Sequence, residues 1–99
     1  MPKQIIWSPL AENDFANILD YLDKNWDRKV ASNFIVLTEN VLTQISINPK
    51  QFPICYNKRK VRKCVLTKHN SMYYRDTSSS IQILRIYDTR QDPDTLTFK

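Results

Sequence analysis

The stretch Val41–Pro53, VLTQISINPKQFP, is where the chain changes period. Before it, Val30, Phe34, Leu37, Val41 and Ile45 follow one another at steps of four, three, four and four. That spacing places them on one helical face and predicts a buried stripe. Asn48 precedes Pro49, and a residue before proline is pushed out of the α region, so the helix is expected to stop there. Gln51–Tyr56 reads as an irregular connector, after which the pattern is that of strands.

Towards the N-terminus, Asp27 is a candidate N-cap for this helix and Asn25–Asp27 is the break before it. A first helix starts at Ser8-Pro9, with serine as cap and proline at the position whose N–H has no partner anyway. Glu12 and Asp14 fall in or near its first turn, where the helix dipole favours carboxylates. Ala11, Phe15, Ile18, Leu19 and Leu22 give it a buried face through about Lys24. Two amphipathic helices joined by two or three residues form an antiparallel hairpin. Gln4–Trp7, short, β-branched and aromatic, is a strand ahead of them.

Towards the C-terminus, Val61–Leu66, Ser71–Arg75 and Ile81–Tyr87 read as three strands joined by short turns, an antiparallel meander. The last carries apolar residues on both parities, as a central strand does. The expected fold is therefore α+β in two layers, β-α-α-β-β-β, a helical hairpin packed on a small antiparallel sheet, with residues 1–99 as one domain. The sheet's other face is expected to stay partly open. Arg62, Lys63, Arg75 and Arg85 share these strands with Tyr73, Tyr74 and Tyr87. Interleaved cations and aromatics suit a nucleic-acid surface, and they suit a protein-binding patch equally.

Composition narrows the chemistry. The chain has no glycine, which excludes glycine-rich phosphate loops. His69 is the only histidine, so multi-histidine metal sites are excluded and no metal or cofactor is expected. Cys55 and Cys64 match no zinc or redox spacing and read as small buried hydrophobes in a reducing compartment rather than a disulfide. No apolar run is long enough to cross a membrane and the N-terminus has no secretory h-region, which points to the cytoplasm. Residues 50–90 hold ten Lys and Arg against two acids, whereas residues 1–49 hold four against six. A basic half of this kind calls for an acidic partner, nucleic acid or protein.

The element order, the opening IIWSPLAENDF (Ile5–Phe15), the connector Asn48–Pro53, the strands VRKCVL (Val61–Leu66) and NSMYYR (Asn70–Arg75), and the closing ILRIYDTRQDP (Ile83–Pro93) together resemble the RelE/ParE toxins. These are the toxin halves of bacterial type II toxin–antitoxin pairs, also known as plasmid stabilisation proteins. The resemblance implies one of two activities. RelE-like members are ribosome-dependent ribonucleases that cut mRNA without a metal, whereas ParE-like members inhibit DNA gyrase.

For a nuclease, the resemblance places basic residues on the first sheet strand after the helices. It places an arginine at the opening of the next strand, an arginine just past the last strand, and a tyrosine near the C-terminus. Arg62 and Arg90 fill two of these places, while Ser71 and Leu96 stand at the others. His69 and Tyr87 are the remaining nuclease candidates. A second nuclease subgroup ends in a His-Tyr pair, which this chain lacks. The balance is closer to the ParE branch: a gyrase inhibitor acting by binding, for which Arg62, Lys63, Arg75, Arg85, Tyr87 and Arg90 are the target- or antitoxin-binding residues. Either activity implies a cognate acidic antitoxin that folds onto the toxin. The alternatives are the ribosome-dependent nuclease, an inactive homologue and a small nucleic-acid-binding module.

Overall fold

The computed structural model describes residues 3–88. The elements are β1 (Gln4–Trp7), α1 (Pro9–Asn25), α2 (Arg28–Ile47), β2 (Ile54–Tyr56), a 3-10 turn at Lys58–Lys60, β3 (Val61–Thr67), β4 (Asn70–Asp76) and β5 (Ser80–Asp88). Both helix starts follow from their caps. The Ser8 side chain accepts from the Ala11 N–H at 3.0 Å and Asp27 accepts from the Val30 N–H at 2.9 Å. Each cap stabilises its helix by about 1 kcal/mol.

The sheet has five strands in the order β1-β5-β4-β3-β2. The expected antiparallel meander is β3–β4–β5, with β4 in the middle; β5 is an interior strand, flanked by β1 and β4. Two features extend it. β1 joins β5 in parallel, which makes the sheet mixed. Ile54–Tyr56, within the stretch expected to be an irregular connector, forms a three-residue edge strand antiparallel to β3.

The helical hairpin covers one face of the sheet. Ala11, Phe34, Val41 and Ile45 are buried against Cys64, Leu66, Met72, Tyr74, Ile81, Ile83 and Ile86. Phe15 joins the layers, its ring 5.3 Å from Trp7 and 5.8 Å from Phe34. Burial of each large apolar side chain here contributes roughly 1.5–3 kcal/mol. The two parities of apolar residues on β5 have a local cause. Tyr73 pairs with Arg85 and Tyr74 with Ile83, so Leu84 is the extra residue of a β-bulge. The bulge lets Ile83 and Ile86, three apart, face the helices together.

The Pro49–Pro53 segment is tied down by the sheet. The Arg62 guanidinium donates to the Phe52 carbonyl at 2.7 Å and the Tyr74 hydroxyl to the Pro49 carbonyl at 2.7 Å. The Lys63 N–H donates to the Pro53 carbonyl at 3.1 Å. Burial pushes the Tyr74 phenol up to about 12 and the Cys64 thiol up to about 11. Cys64 is a buried free thiol, as the sequence implied; Cys55 is free but exposed, because it sits on the short edge strand rather than in the core.

Candidate functional site

Residues directly paired across strands share a face, so the register sorts the basic and aromatic side chains. Lys63, Tyr73 and Arg85 form one row and Val65, Ser71 and Tyr87 another, both facing away from the helices. Val61 and Arg75 belong to the same side. Arg62 and Tyr74 do not. They pair with each other and Tyr74 pairs with Ile83, on the helix side, where both side chains hold the connector. The second face is also less open than expected. Val61, Tyr73, Leu84 and Tyr87 form a small buried cluster at its centre. Burial raises the Tyr73 phenol above its ordinary value. Lys63 and Arg75 remain half-buried around the cluster and Val65 is exposed.

Arg85 is committed to α1. β1 stops pairing at Trp7 opposite Ile83, and beyond that point α1 supplies the partners for the edge of β5. The Ser8 N–H donates to the Ile83 carbonyl at 2.9 Å and the Ser8 hydroxyl to the Leu84 carbonyl at 2.8 Å. Asp14 then accepts from the Ile86 N–H at 3.1 Å and holds Arg85 through both guanidinium contacts, at 2.6 and 3.0 Å. The side chains of this pair are only 14% and 13% exposed. Donating these hydrogen bonds to the Asp14 carboxylate raises the arginine's pKa still further, and the guanidinium lies 5.5 Å from the Tyr87 ring centre.

Sequence reasoning assigned Asp14 to the helix dipole and missed this role. The signal was available: Asp14 falls between Ala11 and Ile18 on the buried stripe of α1, an odd place for a carboxylate without a partner.

Beside this pair a groove of about 750 Å³ runs between the helical hairpin and the far ends of β4 and β5. Leu22, Trp26, Val30, Phe34 and Leu37 line it from the helices, and Ile86 from the sheet. Asn17, Asn33, Thr67, His69, Asn70 and Asp88, with Asp14 and Arg85, supply its polar groups. Trp26 is 68% exposed and Tyr21 50%, an unusual apolar display for side chains of this size.

Of the nuclease candidates, His69 and Tyr87 line this groove, next to Arg85. Arg62 lies five residues before Thr67 on β3, about 17 Å away at strand rise. Arg62, His69 and Tyr87 are therefore not one constellation. Ser71 is fully buried, and its hydroxyl has no hydrogen-bond partner among the described residues. Arg90 and Leu96 lie outside the described residues. Among the described residues no three His, Cys, Asp or Glu side chains gather as metal ligands, and no helix is long and apolar enough to cross a membrane.

Residues 5–93 match the family described as the ParE toxin of the type II toxin–antitoxin system parDE. The chain belongs to the ParE toxin family. No curated protein sequence matches it. A chain of the chromosomal ParDE toxin–antitoxin system from P. aeruginosa superposes with a TM-score of 0.75 at 20% identity, over 89% of this chain and 97% of that one. A copper-bound mutant toxin from Helicobacter pylori superposes at 0.59, also at 20% identity, over 87% and 93%. At such identities the likeness is one of fold. This ParE-family toxin thus shares the two-layer architecture of those structures.

Proposed function

We propose that this ParE-family toxin acts by binding, with DNA gyrase as its target, and that a cognate antitoxin neutralises it by folding an amphipathic helix into the groove beside Trp26. The observation that carries the binding reading is the structural use of Arg62, one of the two expected nuclease cations. Arg62 spends its guanidinium on the Phe52 carbonyl. Ser71, at the place that the nucleases give to a strand-opening arginine, is fully buried. Cleavage through the 2′-hydroxyl needs cations placed on the developing phosphorane charge, and losing one costs on the order of 10²–10³ in rate.

The groove supports the antitoxin half of the reading. Its apolar residues come from two helices and a strand end, the setting in which the apolar face of an added helix is buried. Trp26 and Tyr21, large and exposed, are the side-chain types that anchor such contacts.

Purified protein added to a gyrase supercoiling reaction and to a translating ribosome system separates the activities. Supercoiling is expected to fall with mRNA intact; codon-position cleavage with gyrase unaffected would overturn the gyrase reading. The product of the neighbouring reading frame is expected to raise thermal stability, by about 2.7 kcal/mol at a hundredfold excess over its dissociation constant. No stabilisation by that product would count against the groove as an antitoxin site.

A further inference from the structure

Residues 50–75 hold eight Lys and Arg and no Asp or Glu. Among the described residues, the ion pairs to carboxylates involve Lys3, Lys24, Arg28 and Arg85. Among the described residues, Lys50, Lys58, Arg59, Lys60, Lys63 and Arg75 have no such partner. Three of them, Lys58–Lys60, are consecutive and exposed at the corner between β2 and β3. The corner's backbone is set against its sequence. Arg59 and Lys60 take positive φ, 74° and 51°, in a chain with no glycine to place there. Each such residue costs about 1 kcal/mol or more. The geometry is held by the Lys60 N–H on the Asn57 carbonyl at 3.1 Å and by the Arg75 side chain on the Arg59 carbonyl at 3.0 Å. One cation thus fixes the turn that displays three others.

We propose that this corner, Lys58–Lys60 with Lys50, Lys63 and Arg75, is a phosphate-backbone contact that binds duplex DNA without reading its sequence. The inference goes beyond the toxin reading and stands whether or not gyrase is the target. Three observations select the occupant. Single-stranded nucleic acid is held by aromatic stacking platforms, but Tyr73, Tyr74 and Tyr87 are all buried, which leaves Tyr56 as the exposed ring beside the corner. Duplex RNA is read through its 2′-hydroxyls, whereas the corner Asn57–Lys63 offers cations with a single amide, Asn57.

An acidic peptide that folds on binding needs apolar surface to bury, and the apolar groove lies elsewhere. It takes in Thr67 and Asn70, at the opposite end of β3 and β4 from Val61 and Arg75, about 20 Å away along the strands. A protein partner seated in the groove leaves the corner exposed. Duplex DNA, with a charge every ~1.7 Å along its axis, is the partner that charge alone can hold.

Fluorescence anisotropy with a labelled random-sequence DNA duplex, titrated with the full-length protein from 50 to 200 mM salt, tests this. The log–log salt slope is about −0.9 per phosphate contacted, so six cations set a limit near −5. The variant Lys58→Gln, Arg59→Asn, Lys60→Asn removes three charges and keeps the left-handed turn, which asparagine tolerates. Its slope should be shallower by about 2.7, so over this fourfold salt range it should lose about 40-fold less affinity than the parent. Lys24→Gln with Arg28→Gln, on the helical hairpin, should leave the slope unchanged. Should circular dichroism show the triple variant unfolded, Lys50→Gln with Lys63→Gln should reduce the slope by about 1.8 instead. No binding at 50 mM salt, an unchanged slope in the corner variants, an equal loss in the helix variant, or tighter binding of duplex RNA or poly-glutamate would each overturn the proposal.

Discussion

Asp14→Ala is the sharpest test of how the fold holds its sheet edge. Asp14 satisfies three donors at once: two on Arg85 and the N–H of Ile86. Truncation leaves a guanidinium whose side chain is 14% exposed without its counter-charge, and a strand N–H without its acceptor. Removing one partner of a buried ion pair costs about 3–5 kcal/mol, and leaving a buried donor unmet about 1–3, the two overlapping rather than adding. The residual exposure lets water reach the guanidinium, so the expected loss is about 2–4 kcal/mol. For a domain of this size each kcal/mol moves Tm by about 4–8 °C, so Tm should fall by roughly 8–32 °C.

The related variants separate the contributions. Asp14→Asn keeps an acceptor for the Ile86 N–H but loses the charge, and should cost about half as much. Arg85→Met leaves Asp14 with Ile86 alone. In the double variant Asp14→Ala, Arg85→Met no charge is left stranded, so the double-mutant cycle should return a coupling of about 1.5–3 kcal/mol. Urea unfolding followed by circular dichroism measures all four proteins. An Asp14→Ala cost under about 0.5 kcal/mol, or additive single losses, would refute the reasoning.

Other sites carry smaller expectations. Ser71→Ala should be neutral or stabilising by up to about 1 kcal/mol, because it removes a buried hydroxyl with no partner; Ser71→Arg should unfold the protein rather than create a nuclease, which soluble expression and unfolding curves would show. Cys55 should react with a thiol reagent at pH 8 within minutes, while Cys64, buried with its pKa pushed up to about 11, should react only as the protein unfolds. Tyr74 is pushed up to about 12 in the folded state against about 10 unfolded, so its contribution to stability is intact below pH 10 and falls as pH climbs towards 12. Tyr74→Phe should therefore cost about 1 kcal/mol at pH 7, through the lost bond to the Pro49 carbonyl, yet show a shallower alkaline loss in pH-dependent denaturation. Trp26→Ala should weaken antitoxin binding 10- to 100-fold in calorimetry with Tm little changed, because the side chain is exposed in the free toxin.

The helices were legible because each is specified locally. Ser8-Pro9, Asp27 and Asn48-Pro49 mark their ends, and the stripes from Ala11 to Leu22 and from Val30 to Ile45 repeat at a helical period. The meander was legible for similar reasons, through short strands separated by turn residues. What local pattern could not carry was pairing between distant segments. Nothing in Gln4–Trp7 itself specifies a parallel partner seventy-six residues later, and Ile54–Tyr56 is too short to show a strand period. The bulge at Leu84 was hidden for another reason. Apolar residues on both parities fit a strand covered on both faces, and they fit equally a strand whose register slips by one. The same slip decides which cations face which way.

That sorting changes what the basic half of the chain means. As a sequence, Arg62, Lys63, Arg75 and Arg85 form one class of residue on neighbouring strands. In the fold, Arg62 closes the connector, Arg85 closes the sheet edge and Arg75 closes the corner turn. Each guanidinium donates to a fixed oxygen, as its planar fork suits it to do. Among the described residues the lysines make no comparable contact at the corner, and their charges face solvent or a partner. Arginine here mostly supports the structure and lysine supplies most of the field, so the recognition surface lies along Lys50, Lys58, Lys60 and Lys63 with Arg59 and Arg75. Replacing Lys63 should therefore change binding with little effect on folding, and replacing Arg62 should change folding first.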